Sequence, residues 1–280
     1  MNIIGQKKLL SNIDHLLTTN KFPRFSILQG AYGSGKKLIA SYIAKKLDAL
    51  LVPCELGVDA VREVIEMSYE QTSPIVYMWA DAHKMSIGAK NVVLKVTEEP
   101  PQNAYFIMTT DNVKGLLGTL LSRGTLFNIN PYSPEELYSY VNEKLPDINN
   151  KDADIIVNIS TTPKDVMDLA SVDFERLNKV VGILCDNIGI TNLGNELKIS
   201  TFLQYKEEDT DKFDPVLFMR ACMFHYLELM KSNYNPMYAE LIRLTSQYLS
   251  DLASKSLNKV ATVDNWIIDM HLVGAKEGKS

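Results

Sequence analysis

Cysteine is scarce in this chain of 280 residues: Cys54, Cys185 and Cys222 are the only three, far apart and odd in number. That excludes a disulfide framework and a four-cysteine zinc site, and all three are read as buried thiols of a reducing compartment. Long apolar runs are missing as well. The opening Met1-Asn-Ile-Ile-Gly-Gln-Lys-Lys is too short in apolar residues for a signal peptide, and nothing later approaches the roughly 20 apolar residues of a membrane helix. A cytoplasmic protein without membrane contact is expected. Positive charge is also in deficit: 29 Lys and Arg against 34 Asp and Glu give −5. Coating nucleic acid with the whole surface needs clustered cations, so the balance leaves room only for a local basic patch.

What is present is globular in kind, with 46% apolar and 22% charged residues. The length suffices for one large domain or two to three smaller ones. The chain is organised around Ser26-Ile-Leu-Gln-Gly-Ala-Tyr-Gly-Ser-Gly-Lys-Lys37. An apolar run (Phe25, Ile27, Leu28) meets a loop containing Gly30, Gly33, Ser34 and Gly35, and Leu38 to Leu47 then follow at helical spacing. Gly30-x-x-x-x-Gly35-Lys36 fits the phosphate-loop pattern, whose backbone N–H groups and helix N-terminus favour an anion while Lys36 reaches the terminal phosphates. The next residue should be Ser or Thr, a ligand of the Mg²⁺ that accompanies the nucleotide. Here it is Lys37, and a charged ammonium has no lone pair for a metal. The alternative is a glycine-rich turn before an ordinary helix.

Around this loop the pattern predicts α/β alternation. Residues 6–20 form a helix with Leu9, Leu10, Ile13, Leu16 and Leu17 on one face, off which His15 sits as a solvated residue. Strands are expected at 49–53, 75–80, 104–108 and 125–129, and helices at 58–69, 87–97 and 116–121. The continuous apolar run Ile75-Val-Tyr-Met-Trp-Ala80 marks a strand buried on both faces of a parallel sheet, ended by Asp81. Sites in such folds gather at the C-terminal ends of strands, so an acid there belongs beside the phosphate loop. From Pro131 onward only helices and loops are expected, with helices at Phe213–Lys231, Pro236–Lys255 and Val263–Leu272. Ser133-Pro-Glu-Glu136 is a helix start. Later stripes, Val216/Met219/Met223/Leu227/Met230 and Leu241/Leu244/Tyr248/Leu252, are spaced for core packing or, given the methionines, for an adaptable groove. Glu207 to Lys212 reads as a solvated charged turn. The expected domains are 1–130 (α/β), 131–175 (small, helical) and 176–280 (helical).

Asp81-Ala82-His83-Lys84-Met85, Asn91-Val-Val-Leu-Lys95, Glu98-Glu-Pro-Pro101, Thr109-Thr110 and Thr119-Leu-Leu-Ser122-Arg123 form a specific string within Val76–Gly124. It resembles the ATPase core of bacterial DNA polymerase III clamp-loader subunits. The resemblance implies an AAA+ P-loop domain with a parallel sheet, a helical lid at 131–175 and a C-terminal helical collar at 176–280. It implies roles beside a nucleotide for Ile4, in Ile4-Gly5-Gln6 near the adenine, for Thr110 as a sensor, and for Lys164, in Thr161-Thr-Pro-Lys-Asp165, at the place of the lid arginine.

Active members of that family end the strand before the histidine turn in Asp-Glu. Ungapped counting puts Ala80 at the first position and Asp81 at the second; in the other register Asp81 is the metal acid and Ala82 replaces the Glu, so in either one carboxylate is missing and Asp81 is a remnant. With Lys37, both protein contacts to the metal are gone, and no metal site is expected. ATP or ADP is then a cofactor held with weak Mg²⁺ or none. This loss is most similar to the delta-prime subunit, the non-hydrolysing member, and Ser122-Arg123 matches the motif whose arginine reaches a neighbour's γ-phosphate. The alternative for Arg123 is a surface side chain capping the 116–121 helix. Gly124 stands where the family usually has cysteine, and the family's cysteine-rich zinc module is absent. The resemblance implies as partners other clamp-loader subunits, a sliding clamp, and primer-template DNA through the assembly. The rival functions are a hydrolysing AAA+ ATPase and a nucleotide-sensing adaptor outside replication.

Overall fold

The computed structural model describes residues 3–206, 211–252 and 258–277. Most of the expected charged turn, residues 207–210, lies outside them, as do 253–255 at the end of the helix expected from Pro236.

Packing divides the chain into two compact units, one of residues 1–146 with 160–167, the other of 147–159 with 168–280. The first unit runs α1 (Lys7–Thr18), β1 (Phe25–Gln29), α2 (Lys36–Lys46), β2 (Leu50–Cys54), α3 (Val58–Ser68), β3 (Ile75–Trp79), α4 (Ile87–Glu98), β4 (Ala104–Thr110), α5 (Gly118–Leu121), β5 (Thr125–Asn128) and α6 (Pro134–Lys144). Its five strands are all parallel in the order β2-β3-β4-β1-β5, so the apolar runs do form a sheet buried on both faces.

Strand alternation sorts the core into two layers. Phe25, Ile27, Tyr77, Trp79, Phe106 and Met108 face α3 and α4. Leu28, Val76, Met78, Ile107 and Phe127 face α1 and α2, where Ile13, Ile39 and Ile43 are fully buried. The α1 stripe packs through Ile13, Leu9, Leu16 and Leu17, leaving His15 exposed. At the start of α6 the Ser133 hydroxyl accepts the Glu136 N–H and the Glu136 carboxylate accepts the Ser133 N–H, a full capping box. The absent cysteine at position 124 has a packing reason: a Cβ there would lie 2.8 Å from the Phe25 ring and 2.9 Å from Ile27.

The second unit contains α7 (Asn150–Ile159), α9 (Phe174–Cys185), α10 (Leu193–Leu197), α11 (Pro215–Ser232), α12 (Pro236–Leu252) and α13 (Lys259–Glu277), with α8 (Pro163–Leu169) spanning the division. The stripe expected on α11 is corrected here. Phe218, Met219, Cys222 and Tyr226 are buried, whereas Leu227 is exposed and Val216, Met223 and Met230 are half-buried. The face is turned by one residue, about 100°. Aromatic packing decides it: Phe218 meets Trp266 edge-on and Tyr226 stacks on Tyr238. Likewise Thr245 replaces Leu244 and Tyr248 as the buried centre of α12, accepting the Trp266 indole N–H at 3.0 Å. Of the cysteines, Cys185 and Cys222 are buried, but Cys54 is only half-buried, because β2 is the sheet's edge strand.

Glu196 is buried and fully engaged, paired with His271 at 2.9 Å and accepting from Thr191 Oγ1 and the Gly189 N–H. Gly189 has φ +74°, and a Cβ there would sit 2.2 Å from the Ala275 nitrogen. Gly189→Ala should therefore lower stability by at least ~2 kcal/mol, through left-handed strain plus backbone collision. Gly118→Ala, with open space around it, should stay within ~1 kcal/mol. Denaturant melts of the two variants check this.

Candidate nucleotide site

The loop after β1 is built by its neighbours. The Gly30 N–H donates to Thr110 O at 3.1 Å and the Ile129 N–H to Gln29 O at 2.7 Å, clamping the end of β1 between β4 and the residues after β5. Tyr132 then donates from its hydroxyl to Ser34 O at 2.9 Å. Gly33 and Gly35 turn the chain at φ +79° and +86°, and α2 starts directly behind them. At Gly33 a Cβ would come 2.5 Å from Lys164 Cβ and 2.8 Å from Thr162 Oγ1, so only glycine allows segment 160–167 to lie against the loop.

A cleft of about 370 Å³ results. It brings together most of the predicted residues: Gly33, Ser34, Gly35, Lys36, Lys37, Asp81 and Lys164 all line it. Gly30 is not among the lining residues, but the Lys36 ammonium donates to Gly30 O and Ala31 O, both at 2.8 Å. Ile4 and Arg123 are not among the lining residues. Near Ile4, Gln6 instead ties to Asn130, donating to its carbonyl and accepting its N–H.

Thr109, not Thr110, lines the cleft, and strand alternation explains it. Thr109 shares its face with Ile107, on the α2 side, and its hydroxyl accepts the Asp81 N–H at 3.2 Å. Thr110 shares its face with Met108. Its hydroxyl accepts the Asn112 N–H and contacts His83 Nδ1, which also lies 3.2 Å from Asp111. Ala80, just past the end of β3, is half-buried and is not among the residues lining the cleft, whereas Asp81 is.

Sequence reading missed three further contributors. Tyr132 and Lys90 act across long separations, Lys90 by donating to His83 O and Gly115 O. Tyr32, exposed at the cleft rim, has the Lys164 ammonium 5.7 Å from its ring centroid. Only Tyr32, inside the glycine loop, carried a local signal.

Electrostatically the cleft suits an anion. Burial pushes the Lys36 ammonium below its usual value, opposed in part by Asp111 and Asp81. Burial raises the Asp81 carboxyl, but the hydrogen bond and charge of Lys84, with His83 and Lys36 behind, hold it below the usual range. The Ser34 hydroxyl, in a residue 2% exposed, is buried with no hydrogen-bond partner. An orphaned hydroxyl, a cradle of left-handed glycines and a helix N-terminus fit a phosphate group. They offer little to its Mg²⁺: Lys37, directly after Lys36, has no lone pair for a metal, and the carboxylate lining the cleft, Asp81, is already paired with Lys84.

A parallel sheet with a glycine cradle ahead of α2 defines an AAA+ P-loop protein. Comparisons carry this further. Residues 56–133 match the family described as DNA polymerase III, delta subunit. The gamma subunit of Buchnera aphidicola subsp. Schizaphis graminum is 27% identical over 248 residues, 75% of this chain and 68% of that protein. The delta′ subunit of Escherichia coli K12 is 40% identical over 88 residues, 30% of this chain and 25% of that protein. In fold, a solved gamma subunit-related protein from Thermotoga maritima superposes with TM-score 0.51 at 16% identity, over 94% of this chain and 99% of its own. Over these stretches the chain is similar to gamma and delta′ subunits of DNA polymerase III, and the family match is confined to residues 56–133.

Arg123 lies at the surface beyond α5. It donates to Thr119 O at 3.2 Å and pairs with Glu98 at 2.9 Å, so within this chain it caps that helix. Among the described residues no helix is long and apolar enough to cross a membrane.

Because the folded-state pKa of Lys36 lies below 10.5, the folded protein holds fewer protons between the two values, and stability rises with pH through that window. Phosphate affinity runs the other way. It is full near neutrality and falls as Lys36 deprotonates, below the ordinary lysine range. Titrating inorganic triphosphate from about pH 7 to about pH 10 should show that loss for the wild type and a flatter profile for Lys36→Met.

Proposed function

We propose that this chain is a delta-prime-like clamp-loader subunit: a largely non-hydrolysing stator that lends Arg123 to a neighbouring ATPase and helps place a ring-shaped sliding clamp on primed DNA. It works in the cytoplasm within a hetero-oligomer, with an AAA+ domain at 1–130, a lid at 131–175 and a collar at 176–280.

One observation carries the reading. Gly33, Ser34, Gly35 and Lys36 line one cleft, while Lys37 and, in the ungapped register of the resemblance, Ala80 stand at the positions where active members carry the metal's donors. Phosphoryl transfer relies almost wholly on positioned charge, so a site that cannot hold its metal hydrolyses poorly. Arg123 fits the donor role energetically. Its partner Glu98 has a side chain 59% exposed, and a pair in that setting contributes only ~0–1 kcal/mol. Exchanging Glu98 for a neighbour's phosphate therefore costs little.

A second reading, a hydrolysing AAA+ ATPase, is favoured by the position of Lys36 in the cleft. It requires turnover by the isolated chain that Lys36→Ala abolishes.

Arg123→Ala should reduce ATP turnover at the neighbouring site by ~10³–10⁵ while leaving the complex assembled. Turnover of the purified complex, with gel filtration as the assembly control, measures this; unchanged turnover overturns the role.

A further inference from the structure

We propose that the cleft binds the polyphosphate of a nucleotide without a divalent cation, Lys37 supplying from the metal-ligand position the positive charge that Mg²⁺ would bring. This rests on reading the loop as a phosphate cradle.

The Lys36 and Lys37 ammonium groups line the cleft with one carboxylate, Asp81. That carboxylate is already paired with Lys84 at 3.0 Å, and Asp111 acts on Lys36 from outside the lining. Both lysines open an 11-residue helix, and the buried Ser34 hydroxyl beside them lacks a partner. Those features ask for an anion rich in acceptor oxygens. A divalent ion meets the opposite conditions. Lys37 offers no lone pair, the one lining carboxylate, Asp81, is held by Lys84, and the neighbouring ammonium groups repel the ion. The side chain of Lys37 is exposed at the cleft, able to swing onto an incoming phosphate as a flexible point charge. In ordinary phosphate loops a hydroxyl at this position recruits the cation; here the cation is covalently part of the chain. Binding then has no metal term, and added Mg²⁺ competes with Lys37 for the same phosphate oxygens.

Calorimetric titration of the full chain with ATP, in EDTA and in excess Mg²⁺, tests this, with phosphate release assayed on the same samples. The expected result is binding in EDTA that Mg²⁺ leaves unchanged or weakens. Lys37→Ala, an exposed change that spares the fold, should lower the EDTA affinity about tenfold or more. Lys37→Thr with Ala80→Asp, which restores a hydroxyl and a carboxylate, should make Mg²⁺ tighten binding. Wild-type binding tightened by Mg²⁺, or EDTA affinity indifferent to Lys37→Ala, overturns the inference alone while the cradle stands. No ATP binding under either condition overturns the cradle reading and the inference together. Mg²⁺-dependent binding accompanied by phosphate release overturns the inference and the non-hydrolysing role.

Discussion

The site depends on how β1 is held. Parallel pairing to β4 on one side and β5 on the other fixes where the strand ends. The Gly30 N–H to Thr110 bond and the Ile129 N–H to Gln29 bond extend that grip one residue past it. From that point the chain has to reverse within a few residues and start α2, which forces two left-handed glycines and leaves a ring of backbone around an open centre. Lys36 is drawn onto the carbonyls of that ring. A slipped pairing of β1 would move every one of these groups at once.

Much of this was legible in the sequence, for identifiable reasons. Continuous apolar runs announced buried parallel strands, and spacing alone placed Gly30, Gly35 and Lys36 in one loop. Residues whose role depends on parity were harder. Thr109 and Thr110 are chemically identical neighbours, and only the register that sets Ile107 and Met108 on opposite faces assigns the cleft to the first. Contacts closed over long separations, such as Tyr132 to Ser34 or Lys90 to Gly115, leave no local pattern. On α11 the apolar count pointed to the methionines, but stacking of Tyr226 and edge-on contact of Phe218 turned the helix by one position.

The cleft and Arg123 occupy separate places in the first unit. The cleft lies at the C-terminal edge of the sheet, lined by backbone, ammonium groups and one orphaned hydroxyl. Arg123 lies outside that cleft, tied to α4 and α5 by an exposed ion pair and a carbonyl. Under the proposed function, this separation lets the metal donors be lost while the arginine is kept.

Gly124 ties the exposed turn after α5 to the sheet core. The Phe25 ring and the Ile27 side chain already fill the volume that a side chain at 124 would need, so any larger residue there would have to push two buried β1 side chains aside. The strand that carries the cradle and the turn that carries Arg123 thus share one packing constraint.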